Sequence, residues 1–67
     1  MDAREIYTRN QLKNDWIRDL IDFQNAITDS ERNSIQRDAK STMMLGIKLY
    51  GFAFADELQE IRKGILK

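Results

Sequence analysis

Apolar side chains recur along the first half of the chain at Leu12, Trp16, Leu20, Phe23 and Ile27, in steps of four, four, three and four residues. That spacing returns to one face of a 3.6-residue helix, and Ile17 and Ile21 widen the stripe. It predicts a helix over about residues 9–26. Thr8-Arg9-Asn10-Gln11 reads as a capping box at its start, with Tyr7 and Leu12 at staple positions. Asp2 and Glu5 are spaced to open an earlier turn, so a helix running from residue 3 through Thr8 is the alternative start.

Thr28-Asp29-Ser30-Glu31 repeats the capping signature and places two carboxylates where the next helix has its positive dipole end. A tight turn near residue 28 follows, and so short a link returns the chain antiparallel. Beyond it Ile35, Ala39, Met43, Gly46, Tyr50, Ala53, Phe54, Leu58, Ile61 and Ile65 keep a helical stripe almost to the C-terminus. The simplest reading is one long second helix over about residues 29–63. At 1.5 Å per residue it reaches roughly 50 Å, against roughly 27 Å for the first helix, which therefore cannot cover it. The alternatives are a kink or break within residues 51–56 and, since its aromatics suit a sheet, a strand over Ile47 to Phe54. Gly46 and Gly51 each cost about 1 kcal/mol in a helix interior, and Asp56-x-x-Gln59 offers a cap for a separate last helix.

Met43 to Ala55 holds one charge, Lys48, in thirteen positions, so its apolar residues wrap most of a helix circumference. A helix apolar all round is buried all round. The expected architecture is therefore all-α: an antiparallel helical hairpin, Trp16, Leu20, Phe23 and Ile27 packed on the second helix, dimerising into a four-helix-type bundle. The self-association surface comprises Met43, Met44, Ile47, Tyr50, Gly51, Phe52, Phe54 and Ala55, its small residues allowing a close helix crossing. Thirteen residues are too few for a membrane span, which needs about 20.

Composition points the same way. A domain of 67 residues has a marginal core, and with no cysteine and no histidine the usual disulfide or zinc staples are missing, which leaves oligomerisation. The same absences remove the commonest general base and the thiolate nucleophile, so no enzyme, cofactor or metal site is expected. Asp15, Asp19 and Asp22 share a helical face, but with Arg18 and Lys13 nearby they read as a solvated, ion-paired surface. Eleven basic and eleven acidic groups cancel, and no leader-like N-terminus is evident, so a cytoplasmic location is the expectation.

By elimination the function is binding: a small protein-interaction module, an inhibitor or adaptor for a larger protein. Its expected contact surface holds Tyr7 with Leu58, Ile61 and Ile65, where the longer helix outreaches the first. The alternatives are a dimeric nucleic-acid-binding regulator and a purely structural self-assembly element. The first would use Arg32, Asn33, Gln36, Arg37 and Lys40 from a stretch with a local excess of positive charge.

Overall fold

The computed structural model describes residues 3–66, and the chain is all-helical. Four helices follow in order, α1 (Ala3–Ile6), α2 (Arg9–Asn25), α3 (Asp29–Tyr50) and α4 (Phe52–Ile65), with no strand among the described residues. Asp2, read as opening the first turn, lies outside them.

Local side-chain chemistry sets the first boundaries. The Thr8 hydroxyl accepts the Gln11 N–H at 3.1 Å and caps α2, while its extended backbone separates α2 from α1. Only half of the expected box forms, because Gln11 donates its side-chain amide to Asp15 at 3.3 Å rather than reaching back. The second cap is reciprocal: Thr28 accepts the Glu31 N–H at 3.1 Å, and Glu31 accepts the Ile27 N–H at 3.2 Å. Between these caps α2 ends at Asn25 and Ala26 turns extended. Ile27 thereby leaves the helical stripe and stands 85% exposed, which corrects its expected place in the core.

The second helix does not run through. It stops at Tyr50, and Gly51 takes φ 85° and ψ −179°, a conformation essentially confined to glycine. The Gly51 N–H donates to the Ile47 carbonyl at 2.8 Å, and the Gly51 carbonyl accepts the Phe54 N–H at 3.2 Å. One residue thus closes α3 and opens α4. Asp56 caps nothing, since α4 has begun at Phe52.

The corner turns α4 back along the rest of the molecule. Lys13 pairs with Glu57 at 3.7 Å, the Trp16 indole N–H donates to the Leu58 carbonyl at 2.8 Å, and Gln24 donates to the Ile65 carbonyl at 2.6 Å. Later positions on α2 meet later positions on α4, so these two helices run in the same direction. Across α3 the order reverses: Gly46 abuts Phe54, and Gln59 reaches the Met43 sulfur at 3.9 Å. Leu12, Trp16, Leu20, Phe54 and Leu58 form the buried cluster, with Ala39, Met43, Leu45, Tyr50, Ile61, Ile65 and Leu66 packed against it. The cover that the first helix could not give comes from α4.

At the corner end Tyr50 gathers the N-terminal segment. Its hydroxyl donates to the Tyr7 carbonyl at 2.8 Å, the Arg9 guanidinium lies 5.1 Å over its ring, and Arg4 donates to the Leu49 carbonyl at 3.1 Å. That last contact satisfies one of the carbonyls that a helix C-terminus leaves without a partner.

Gly51→Ala is expected to destabilise the fold by about 1–3 kcal/mol, through backbone strain alone, because a Cβ there meets nothing within 4 Å. Gly46→Ala should destabilise for the opposite reason, its Cβ falling 2.5 Å from Phe54 Cδ1 in a buried ring. Gly64→Ala, where a Cβ also meets nothing within 4 Å, is the control and should be neutral or stabilising by up to about 1 kcal/mol. Thermal unfolding followed by circular dichroism ranks the three. A Gly51→Ala chain as stable as the parent would show that the corner does not depend on glycine.

Candidate functional site

α3 and α4 touch closely where Gly46 faces Phe54, and elsewhere the bundle leaves space between its helices. A cleft of about 190 Å³ opens between α2, α3 and α4. Trp16, Leu20, Phe23, Ile35, Ala39, Met43 and Leu66 supply its apolar lining, and Asp19, Gln36, Lys40, Gln59 and Arg62 its polar groups. Cavities near 150 Å³ hold a benzene ring. This one accommodates a single large aromatic or aliphatic side chain.

The lining is pre-formed. The Trp16 N–H is already satisfied by Leu58, so the indole offers the cleft an apolar surface without a stranded donor. No buried side-chain nitrogen or oxygen among the described residues lacks a partner. Each outer wall presents an amide and a cation one turn apart, Gln36 and Lys40 on α3 and Gln59 and Arg62 on α4. Neither Lys40 nor Arg62 forms an ion pair with another described residue.

Asp19 is the carboxylate of this cleft. Burial pushes its pKa above the ordinary value of 3.8. Asp38 adds to the shift, Arg18 opposes it, and Asp15 and Asp22 contribute further in the raising direction. The row Asp15, Asp19, Asp22 is thus divided in use: Asp15 accepts from Gln11 and pairs with Arg18 at 3.3 Å, whereas Asp19 faces the cleft.

The residues expected to form a dimer surface separate into two groups. Phe54 and Ala55 are buried in the chain's own core, and Met43 and Tyr50 pack against it. Gly51 makes the corner, Ile47 is half-buried, and Met44 and Phe52 stand 60% and 76% exposed. The chain's own core takes up much of the expected contact surface. Leu58 is wholly buried and Ile61 and Ile65 are half-buried against the core, because the turn at Gly51 leaves no overhang. Tyr7 lies beside Tyr50 at the corner, while Ile65 lies beside Gln24 at the other end. Arg32, Asn33, Gln36, Arg37 and Lys40 are all exposed on α3, but Arg32 is held by Asp29 at 3.0 Å, and Gln36 and Lys40 line the cleft.

Gln59 is expected from the sequence only as a cap partner for Asp56, and Arg62 is assigned no role there. Their signal was present in the three-residue spacing beside Ile61, but only a break placed at Gly51 turns that face toward Gln36 and Lys40.

Asp19 gives the stability a defined pH dependence. With its folded-state pKa raised, the folded chain holds this proton to higher pH than the unfolded chain does. The stability it contributes is complete below 3.8 and is lost as pH rises through the folded-state value. Asp19→Asn should therefore be more stable than the parent at pH 7, with the advantage gone by about pH 3. Urea midpoints at the two pH values measure this, and an equal difference at both would refute it.

Comparison with protein-family models, with curated proteins and with solved structures finds no match to this chain.

Proposed function

We propose that this chain is a small non-enzymatic protein-interaction module, an inhibitor or adaptor that receives one large side chain of a partner protein in the cleft between α2, α3 and α4. The observation that supports it is the cleft itself: a pre-formed apolar recess of about 190 Å³, floored by Trp16 and Leu20 and rimmed by polar and charged groups. A recess that fits an aromatic or aliphatic anchor inside a polar ring is the anatomy of an interaction hot spot. Such a mode of action needs no catalytic group.

Self-association is the second reading, favoured by Met44 and Phe52, which stay exposed on either side of the Gly51 corner. A homodimer would cover the part of Met43 to Ala55 that the chain leaves bare and enlarge the bundle. Nucleic-acid binding through Arg32, Asn33, Gln36, Arg37 and Lys40 is the weaker alternative, since Arg32 is already paired with Asp29 and two of the others border the cleft.

Ala39→Phe fills the cleft from within. Native affinity capture with the parent chain should recover a partner protein, and the filled variant, shown by circular dichroism to be folded, should lose at least tenfold of that recovery. Equal recovery with both would place the interaction elsewhere. In parallel, sedimentation equilibrium should show a dimer that Met44→Lys with Phe52→Lys dissociates; a parent chain that stays monomeric at about 200 µM removes the second reading.

A further inference from the structure

With the cleft as the docking site proposed above, the charges around it bear on which partner it takes. Lys40 on α3 and Arg62 on α4 border it from its two outer walls, both exposed and neither engaged in an ion pair with another described residue. Asp19 on α2 is the one anion in the lining. A partner carboxylate gains two cations and meets one carboxylate; a partner cation meets the reverse.

The walls also constrain the partner's backbone. All three elements around the cleft are helices, and no strand edge exists among the described residues to pair with an extended peptide. A segment that enters an apolar recess must then satisfy its own N–H and C=O groups, and a helix does so.

We infer that the cleft recognises an acidic amphipathic helix, one Leu- or Phe-sized anchor entering between Trp16, Ala39 and Met43 while carboxylates one turn away meet Lys40 and Arg62. The amides of Gln36 and Gln59 stand beside those cations and can donate to the same carboxylates. Salt should weaken the charge component and leave the anchor's contribution in place.

Trp16 is the chain's only tryptophan and lines the cleft, so its emission reports occupancy directly. The full chain is titrated with two tryptophan-free synthetic helical peptides that share one Phe anchor, one flanked by Glu and the other by Lys at the positions three and four residues away. The expected result is a saturable change in Trp16 emission with the Glu peptide, at least tenfold tighter than with the Lys peptide at low salt. Lys40→Glu combined with Arg62→Glu should invert that preference. Equal or tighter binding of the Lys peptide, or an unchanged preference in the double variant, overturns the inference. If both peptides bind alike and Ala39→Phe abolishes both, the docking site stands and its acidic selectivity falls. If neither peptide alters the emission at millimolar concentration, the inference fails, and cleft-dependent capture of a protein then decides separately whether the interaction-module reading survives. An emission change that follows protein concentration alone, in step with dimerisation, would make a second copy the occupant and likewise overturn it.

Discussion

One backbone conformation holds this architecture together. At φ 85° and ψ −179°, Gly51 occupies a region that side-chain-bearing residues avoid, and the chain reverses there within a single residue. Were the helix to continue, Met43 to Ala55 would form one straight rod, apolar around most of its circumference and too long for α2 to cover. The reversal divides that run between α3 and α4 and turns the two parts toward each other, so that Phe54 packs over Gly46, where no Cβ intervenes. A chain of 67 residues without cysteine or histidine thereby obtains a third long helix for its core instead of a covalent or metal staple.

Energetics explain why the reversal is preferred. A glycine inside a helix costs about 1 kcal/mol, which is too little to break it unaided. Full burial of a Phe or Leu side chain contributes about 1.5–3 kcal/mol each, and the corner delivers Phe54 at 2% exposure and Leu58 at 0%. Tertiary burial, and not local propensity, decides the conformation at residue 51. Polar contacts then fix the register of α4, chiefly the buried bond from Trp16 to the Leu58 carbonyl at 2.8 Å. The exposed Lys13–Glu57 pair at 3.7 Å adds little.

That balance marks what could be read from the residues in advance. Helix identity, the α2 stripe and both threonine caps depend on neighbours within about four positions, and those were legible. The interruption at Gly51 depends on what lies across the fold, so a sequence window weighs it only as a propensity. The misplacement of Leu58 has the same origin, whereas that of Ile27 is local. Ile27 continues the periodicity of α2 but falls after the extended Ala26, while Leu58 looks like part of an overhang until the chain doubles back. The all-round apolarity of Met43 to Ala55 was the available clue. It signals a need for cover without saying whether a second chain or the same chain provides it.

The cleft follows from the same corner. α3 and α4 meet at the glycine corner and touch where Gly46 faces Phe54, and the cleft lies where α2 contributes Trp16, Leu20 and Phe23 beside them. Gln24 on α2 holds the far end of α4 through the Ile65 carbonyl at 2.6 Å. Apolar walls of this kind are non-directional and take any side chain of suitable bulk. Discrimination therefore falls to the polar groups at the margin, where charges sit close to low-dielectric protein and count for more than they would on an open surface. Asp19, half-buried at this margin, is already partly withdrawn from water. A partner that completes the withdrawal makes the sign of its own charges, opposite Lys40 and Arg62, the deciding quantity.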